Sequence, residues 1–164
     1  MYTIEEQQKA RKKAMRLLEH MDRTEKGLRE KLIQGGFCEE AAEDAISYVK
    51  SFGYINDRRY AENYISSRIG TKSRQKILQE LLQKGVDRNT AQEAWDELAA
   101  LEEPDERTCI RREIEKKYSP DMILEEKELR RLYGYLARRG FQGGDIFSVL
   151  EEMHITSRGR FENE

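Results

Sequence analysis

Side chains able to do covalent or acid-base chemistry are few in this chain and lie far apart. His20 and His154 are its only histidines, and neither stands beside a nucleophile, a second base or a set of metal ligands. Cys38 and Cys109 lack the CxxC or Cys/His spacing that a zinc site or a disulfide framework requires. Gly70-Thr71-Lys72-Ser73 looks like a piece of a phosphate-binding loop. However, Thr71 separates the glycine from the lysine, the upstream glycine is missing, and the segment follows a helical pattern instead of a strand. It reads better as an interhelical loop whose Ser73 caps the next helix. The expectation is no catalytic residue, no metal, no cofactor and no enzyme.

Side chains suited to binding are abundant. Lys9, Arg11, Lys12, Lys13 and Arg16 crowd the first helical stretch, and Arg58, Arg59, Arg68, Lys72, Arg74 and Lys76 gather in a later one. Cations on exposed helices contact phosphates by releasing counterions, or pair with acids on a protein partner. Pairing with glutamates one turn away also accounts for much of the cluster from Lys9 to Arg16, including Lys12, Lys13 and Arg16. The cluster from Arg58 to Lys76 has fewer acids between its members and is the stronger candidate for a contact surface. Residues 54–90 carry eight basic against four acidic groups, whereas 91–128 carry six against thirteen. The formal net charge of -2, from 30 basic and 32 acidic side chains, therefore conceals a polarised surface.

The elements that must carry these side chains follow from composition and repetition. Charged residues make up 38% of the 164 positions and hydrophobic ones 37%, with only 2 prolines. Mean hydropathy is -0.91. This is the vocabulary of exposed helices around a narrow core, and almost no sheet is expected. Leu28, Leu32, Gly36, Phe37, Ala42, Ala45, Ile46 and Val49 form a pattern that recurs without gaps. Its second copy is Ile77, Leu81, Gly85, Val86, Ala91, Ala94, Trp95 and Leu98. The third is Leu132, Leu136, Gly140, Phe141, Ile146, Val149, Leu150 and Met153. Two apolar residues four apart, then a glycine, a large apolar residue and a second apolar face spell helix, tight turn, helix. The glycine is expected at positive φ, closing the first helix.

Another amphipathic segment precedes each pair: Ala14, Leu17, Leu18 and Met21; then Ala61, Tyr64 and Ile65; then Ile110 and Ile114. The predicted fold is all-α, with three tandem three-helix repeats over residues 1–53, 54–103 and 104–156 and a flexible tail over 157–164. The repeats are expected to stack into an elongated, curved array. Predicted helices span 5–21, 24–35, 39–52, 57–69, 73–84, 88–102, 105–117, 120–139 and 143–154. Pro104 and Pro120 are expected in first turns, with Ser119 as a cap, and the chain is expected to fray from Thr156 onward. Asp87 is the one strong cap among the second helices of the pairs, against Cys38 and Gln142. Trp95 holds a core position, and the rings of Tyr54, Tyr60 and Tyr64 are expected to pack. Helices that follow the turns are rich in acid, which disfavours a major-groove reader. With no apolar run at the N-terminus, no membrane span and no disulfide framework, the expected setting is the cytoplasm, and the expected state is a monomer.

Phe52-Gly53-Tyr54-Ile55-Asn56-Asp57-Arg58-Arg59-Tyr60-Ala61-Glu62 resembles a segment of the RecX regulatory proteins, bacterial modulators of the RecA recombinase. Ser67-Arg68, Gly70, Ile77, Leu81 and Lys84-Gly85-Val86 continue the resemblance, and Arg138-Arg139-Gly140-Phe141 extends it to the third copy. The chain differs from the family's usual basic character in its slight acidity, and it carries Cys38 where the family has an acidic or serine residue. The resemblance implies a protein that lies in the helical groove of the RecA filament on single-stranded DNA. There it would block extension and lower ATP hydrolysis, strand exchange and co-protease activity, modulating recombination, DNA repair and the SOS response. Two other readings stay open: a general nucleic-acid-binding protein, for single- or double-stranded DNA, that competes for the strand, and a non-catalytic scaffold for other protein partners.

Overall fold

The computed structural model describes residues 2–101 and 105–158. Among them the helices are α1 (Ile4–His20), α2 (Glu25–Gln34), α3 (Glu39–Ser51), α4 (Asp57–Arg68), α5 (Arg74–Gln83), α6 (Arg88–Ala99), α7 (Glu106–Glu115), α8 (Glu126–Arg138) and α9 (Gly143–Glu152). Two short strands, β1 (Ile123–Leu124) and β2 (Thr156–Ser157), pair in parallel. The all-α repeat architecture read from the spacing is the architecture of the chain.

The repeated glycines explain why the helices stop where they do. Gly36, Gly85 and Gly140 have φ of 97°, 97° and 90°. In each copy the glycine N–H bonds to the carbonyl three residues back, and the next residue's N–H reaches five back: Phe37 to Leu32 at 3.2 Å, Val86 to Leu81 at 3.0 Å, Phe141 to Leu136 at 3.3 Å. That pair of bonds satisfies carbonyls the helix end would otherwise orphan. It also folds the large residue after the glycine back onto the helix it follows, so Val86 and Phe141 are buried and Phe37 half-buried.

The caps follow side-chain chemistry. Asp87 Oδ2 accepts the N–H of Asn89 at 3.1 Å, and Ser73 Oγ accepts that of Lys76 at 3.1 Å. Cys38 and Gln142 precede α3 and α9 without a side-chain cap bond. At the N-terminus Thr3 and Glu6 form a reciprocal capping box on α1.

Several expectations are corrected. Helix α8 begins at Glu126, not near residue 120. Pro120 lies in a turn, the Ser119 N–H is directed at Met122 Sδ instead of Ser119 capping a helix, and Asp121 takes φ 68°. The cause is tertiary: β1 pairs with β2, so the chain must stay extended before it can coil. The same pairing orders Thr156 and Ser157, where fraying was expected, and buries Ser157. Met21 is exposed, and Tyr54 keeps 47% of its surface although its ring stacks on Phe52. Pro104 and the tail beyond Arg158 lie outside the described residues.

Contacts group the chain into two compact units. The first comprises Met1–Ser67 and Leu78–Leu98, the second Arg68–Ile77 and Ala99–Glu164. In the first unit α1 and α2 pack on α3 around Ala10, Ala14, Leu28, Leu32, Ala45 and Ile46. Trp95 is buried, as its place in the repeat requires. In the second, α7 and α8 pack on α9 around Ile110, Ile114, Leu136, Ile146 and Met153.

Candidate functional site

The cations singled out by charge density divide between the two units. Lys12, Lys13 and Arg16 stand exposed on α1, with Arg58 and Arg59 on α4 of the same unit. Arg68, Lys72, Arg74 and Lys76 belong to the second unit. The stretch from Arg58 to Lys76 is thus continuous in sequence but is shared between two compact bodies.

Arg58 is engaged within its own unit. Its guanidinium meets Glu62 at 3.1 Å, Glu93 at 2.9 Å and Glu97 at 3.0 Å, joining α4 to α6. Burial works against the charge, and the three carboxylates outweigh that effect, so the guanidinium is held above its ordinary pKa. Its neighbours in the motif are structural too. Asn56 Oδ1 accepts the Arg59 N–H at 3.1 Å at the start of α4, while Asp57 Oδ1 accepts the Glu25 N–H at 3.0 Å at the start of α2. Arg59 donates to the Gly53 carbonyl at 3.2 Å and is otherwise exposed, lining a shallow cleft of about 450 Å³ with Met15, Leu18 and Tyr54.

Thr24 is the lock that the spacing did not reveal. It is buried, its Oγ1 accepts the Gly27 N–H at 3.0 Å as the cap of α2, and the same hydroxyl donates to the Lys84 carbonyl at 2.5 Å. One hydroxyl thereby caps α2 of the first repeat and holds the end of α5 in the second. The only signal in the sequence was a threonine three residues before Gly27, which marks a helix start but not the second partner.

In the second unit the loop from Arg68 to Ser73 is pinned. Thr71 N–H bonds the Arg68 carbonyl at 3.0 Å, Ser73 N–H bonds the Arg139 carbonyl at 3.0 Å, and Arg139 Nη1 donates to the Thr71 carbonyl at 3.2 Å. The loop is held by bonds within its own unit, two between backbone groups and one from the Arg139 side chain, as its reading as an interhelical connection requires. Arg68 and Lys72 are half-buried, Lys76 likewise, and Arg74 exposed. Among the described residues no group of three or more His, Cys, Asp or Glu side chains could hold a metal ion. No described helix is long and apolar enough to cross a membrane.

These elements carry the surface, and comparison with known proteins agrees with their threefold plan. Residues 10–48 match the family described as "RecX, first three-helix domain", 56–94 the second such domain, and 105–150 the third. The regulatory protein RecX of Clostridium perfringens is 34% identical over 151 residues, covering 88% of this chain and 68% of that protein. That of Amycolatopsis mediterranei is also 34% identical over 151 residues, covering 90% and 85%. The crystal structure of RecX from Lactobacillus salivarius shares the fold with a TM-score of 0.63 at 22% identity, over 92% of this chain and 98% of that one. With three consecutive domain matches over most of its length, the chain belongs to the RecX family of regulatory proteins.

Proposed function

We propose that this protein regulates RecA by lying in the helical groove of the RecA filament on single-stranded DNA, inhibiting filament extension, ATP hydrolysis and strand exchange. Through this it modulates recombination, DNA repair and the SOS response. The observation that carries the reading is the unbroken run of three RecX domains, with curated relatives named regulatory protein RecX along most of the chain. The mechanism is occupancy of a surface, which asks for exposed charge and apolar contacts but no reacting group. The setting is the cytoplasm and the acting species a monomer.

Within that reading the contact residues are Arg59 with Lys12, Lys13 and Arg16 on the first unit, and Arg68, Lys72, Arg74 and Lys76 on the second. Arg58 supports the α4–α6 contact instead. Reversing Arg68, Lys72 and Arg74 to Glu should abolish inhibition of preformed filaments by the purified protein, while the helical circular-dichroism signal and cooperative melting persist. Undiminished inhibition by a folded triple variant would remove this cluster from the mechanism. A second reading, competition for DNA, is favoured by the exposed side chains of Lys12, Lys13 and Arg16, which meet no carboxylate among the described residues. It predicts tight, steeply salt-dependent binding to DNA without RecA.

A further inference from the structure

The second unit contains a pocket that the filament reading does not use. It is a half-open depression of about 280 Å³ between the end of α7 and the exposed side of α8. Small-molecule pockets run to roughly 300–1,000 Å³, so this one stands at the lower end of that range. Tyr118, Leu132 and Tyr135 form its walls, Lys116, Lys117 and Arg131 supply positive charge, and Glu113 closes it from within.

Each part is built. The Glu113 side chain is only 2% exposed. Its Oε1 accepts from Lys116 Nζ at 2.7 Å, and its Oε2 from the Tyr135 hydroxyl at 3.0 Å. A carboxylate offers about four acceptor positions, so each oxygen retains capacity for a further donor. Tyr135 is fixed from both ends: its hydroxyl by Glu113, its ring by the Arg139 guanidinium 4.4 Å from the centroid. Tyr118 is nearly buried, with Lys117 Nζ 5.6 Å from its ring centre.

The fold explains only part of this charge. Lysines at a helix C-terminus favour the helix dipole, which accounts for Lys116 and Lys117 after α7. It does not account for Arg131, which lies one turn before Tyr135 in mid-helix. Neither Lys117 nor Arg131 meets a carboxylate among the described residues, although this part of the chain is rich in acid.

A ligand for this pocket needs three properties at once: a flat ring to lie against tyrosine, a donor for the inner carboxylate, and an anion for the outer cations. We propose that the pocket binds a nucleotide unit whose base carries an exocyclic amino group. The base lies against Tyr135 and Tyr118, the amino group donates to Glu113, and the phosphate meets Lys117 and Arg131. The inference goes beyond the filament reading and stands or falls apart from it. The nucleotide is either free or one member of a single strand.

The test uses the full chain without RecA. Titration with dAMP and with thymidine monophosphate addresses the free nucleotide, and fluorescence anisotropy with labelled single strands of adenine or of thymine addresses the strand. Adenine should bind about tenfold or more tightly than thymine, because a hydrogen bond to a buried charge is lost without the amino group. The double variant Lys117→Ala/Arg131→Ala alters two exposed side chains, so its circular dichroism should be unchanged and its melting still cooperative, with at most a small shift, while adenine binding weakens about tenfold or more. Binding of dAMP assigns the free nucleotide; the same preference in strands alone assigns the strand. Absence of saturable binding, equal affinity for the two bases, or indifference of binding to the double variant would overturn the proposal.

Discussion

The copies of the repeat glycine differ in the room that an added methyl group would find. A Cβ at Gly36 would meet nothing within 4 Å, whereas one at Gly140 would collide with Ser73 Oγ and come within 2.5 Å of Lys76 Cβ. Both glycines hold φ near 90° or above, a conformation that costs an L-residue about 1–2 kcal/mol. Gly36→Ala should therefore cost about that amount in urea unfolding, and Gly140→Ala clearly more. Equal costs would mean that the neighbours of Gly140 yield freely. Acid sensitivity also originates at single residues. The Asp44 carboxyl is held below its ordinary pKa, first by the hydrogen bond from Arg11 and also by Gln7, and Glu43 by the bond from Arg29. A depressed folded pKa gives stability that is complete above the unfolded carboxylate value and is lost as pH falls through the folded one. The urea midpoint should decline below about pH 4, and Asp44→Asn should flatten part of that decline. A wild-type midpoint as high at pH 3 as at pH 7 would contradict it. Cys38 is exposed, while Cys109 is buried with its thiol pushed up by desolvation. A thiol reagent should titrate one group quickly in the native protein and the second only on unfolding.

Elements differ in how plainly their ends are written. The closing glycines, the Asp87 cap and most core positions of the helices were legible, because each rests on chemistry within one or two turns. The start of α8 was not: Ser119 and Pro120 satisfy a helix-start pattern, yet the pairing of Ile123 and Leu124 with Thr156 and Ser157 overrides it. That pairing brings together residues distant in sequence, which no local pattern encodes. Where local chemistry is incomplete, it can be completed. Cys38 precedes α3 in extended conformation, φ -72° and ψ 163°, without a side-chain cap bond. Cys38→Ser should supply one and raise stability by about 0.5–1 kcal/mol, while Asp87→Ala should lower it by about 1 kcal/mol, both read as shifts in urea midpoint at constant slope. A serine variant less stable than the parent would show that the sulfur is better packed than its exposure implies.

At the scale of the molecule, three repeats in sequence become two compact units in space. The repeat count was legible because the glycines recur at constant offsets; the grouping was not, because it depends on bonds such as Ser73 N–H to the Arg139 carbonyl. The candidate surface shares this limit. Charge density located its cations, but could not show that Arg58 is engaged by Glu62, Glu93 and Glu97, or that Glu113 and Tyr135 join across two helices. The family assignment rests on all three domains, and occupancy of the RecA filament is the mechanism proposed from it. The most direct test is the rate of single-stranded-DNA-dependent ATP hydrolysis by the cognate RecA as this protein is added at substoichiometric ratios with DNA in excess. The rate should fall well before the protein could cover the DNA. A rate that holds until the DNA is saturated would contradict filament regulation and leave competition for the strand in its place.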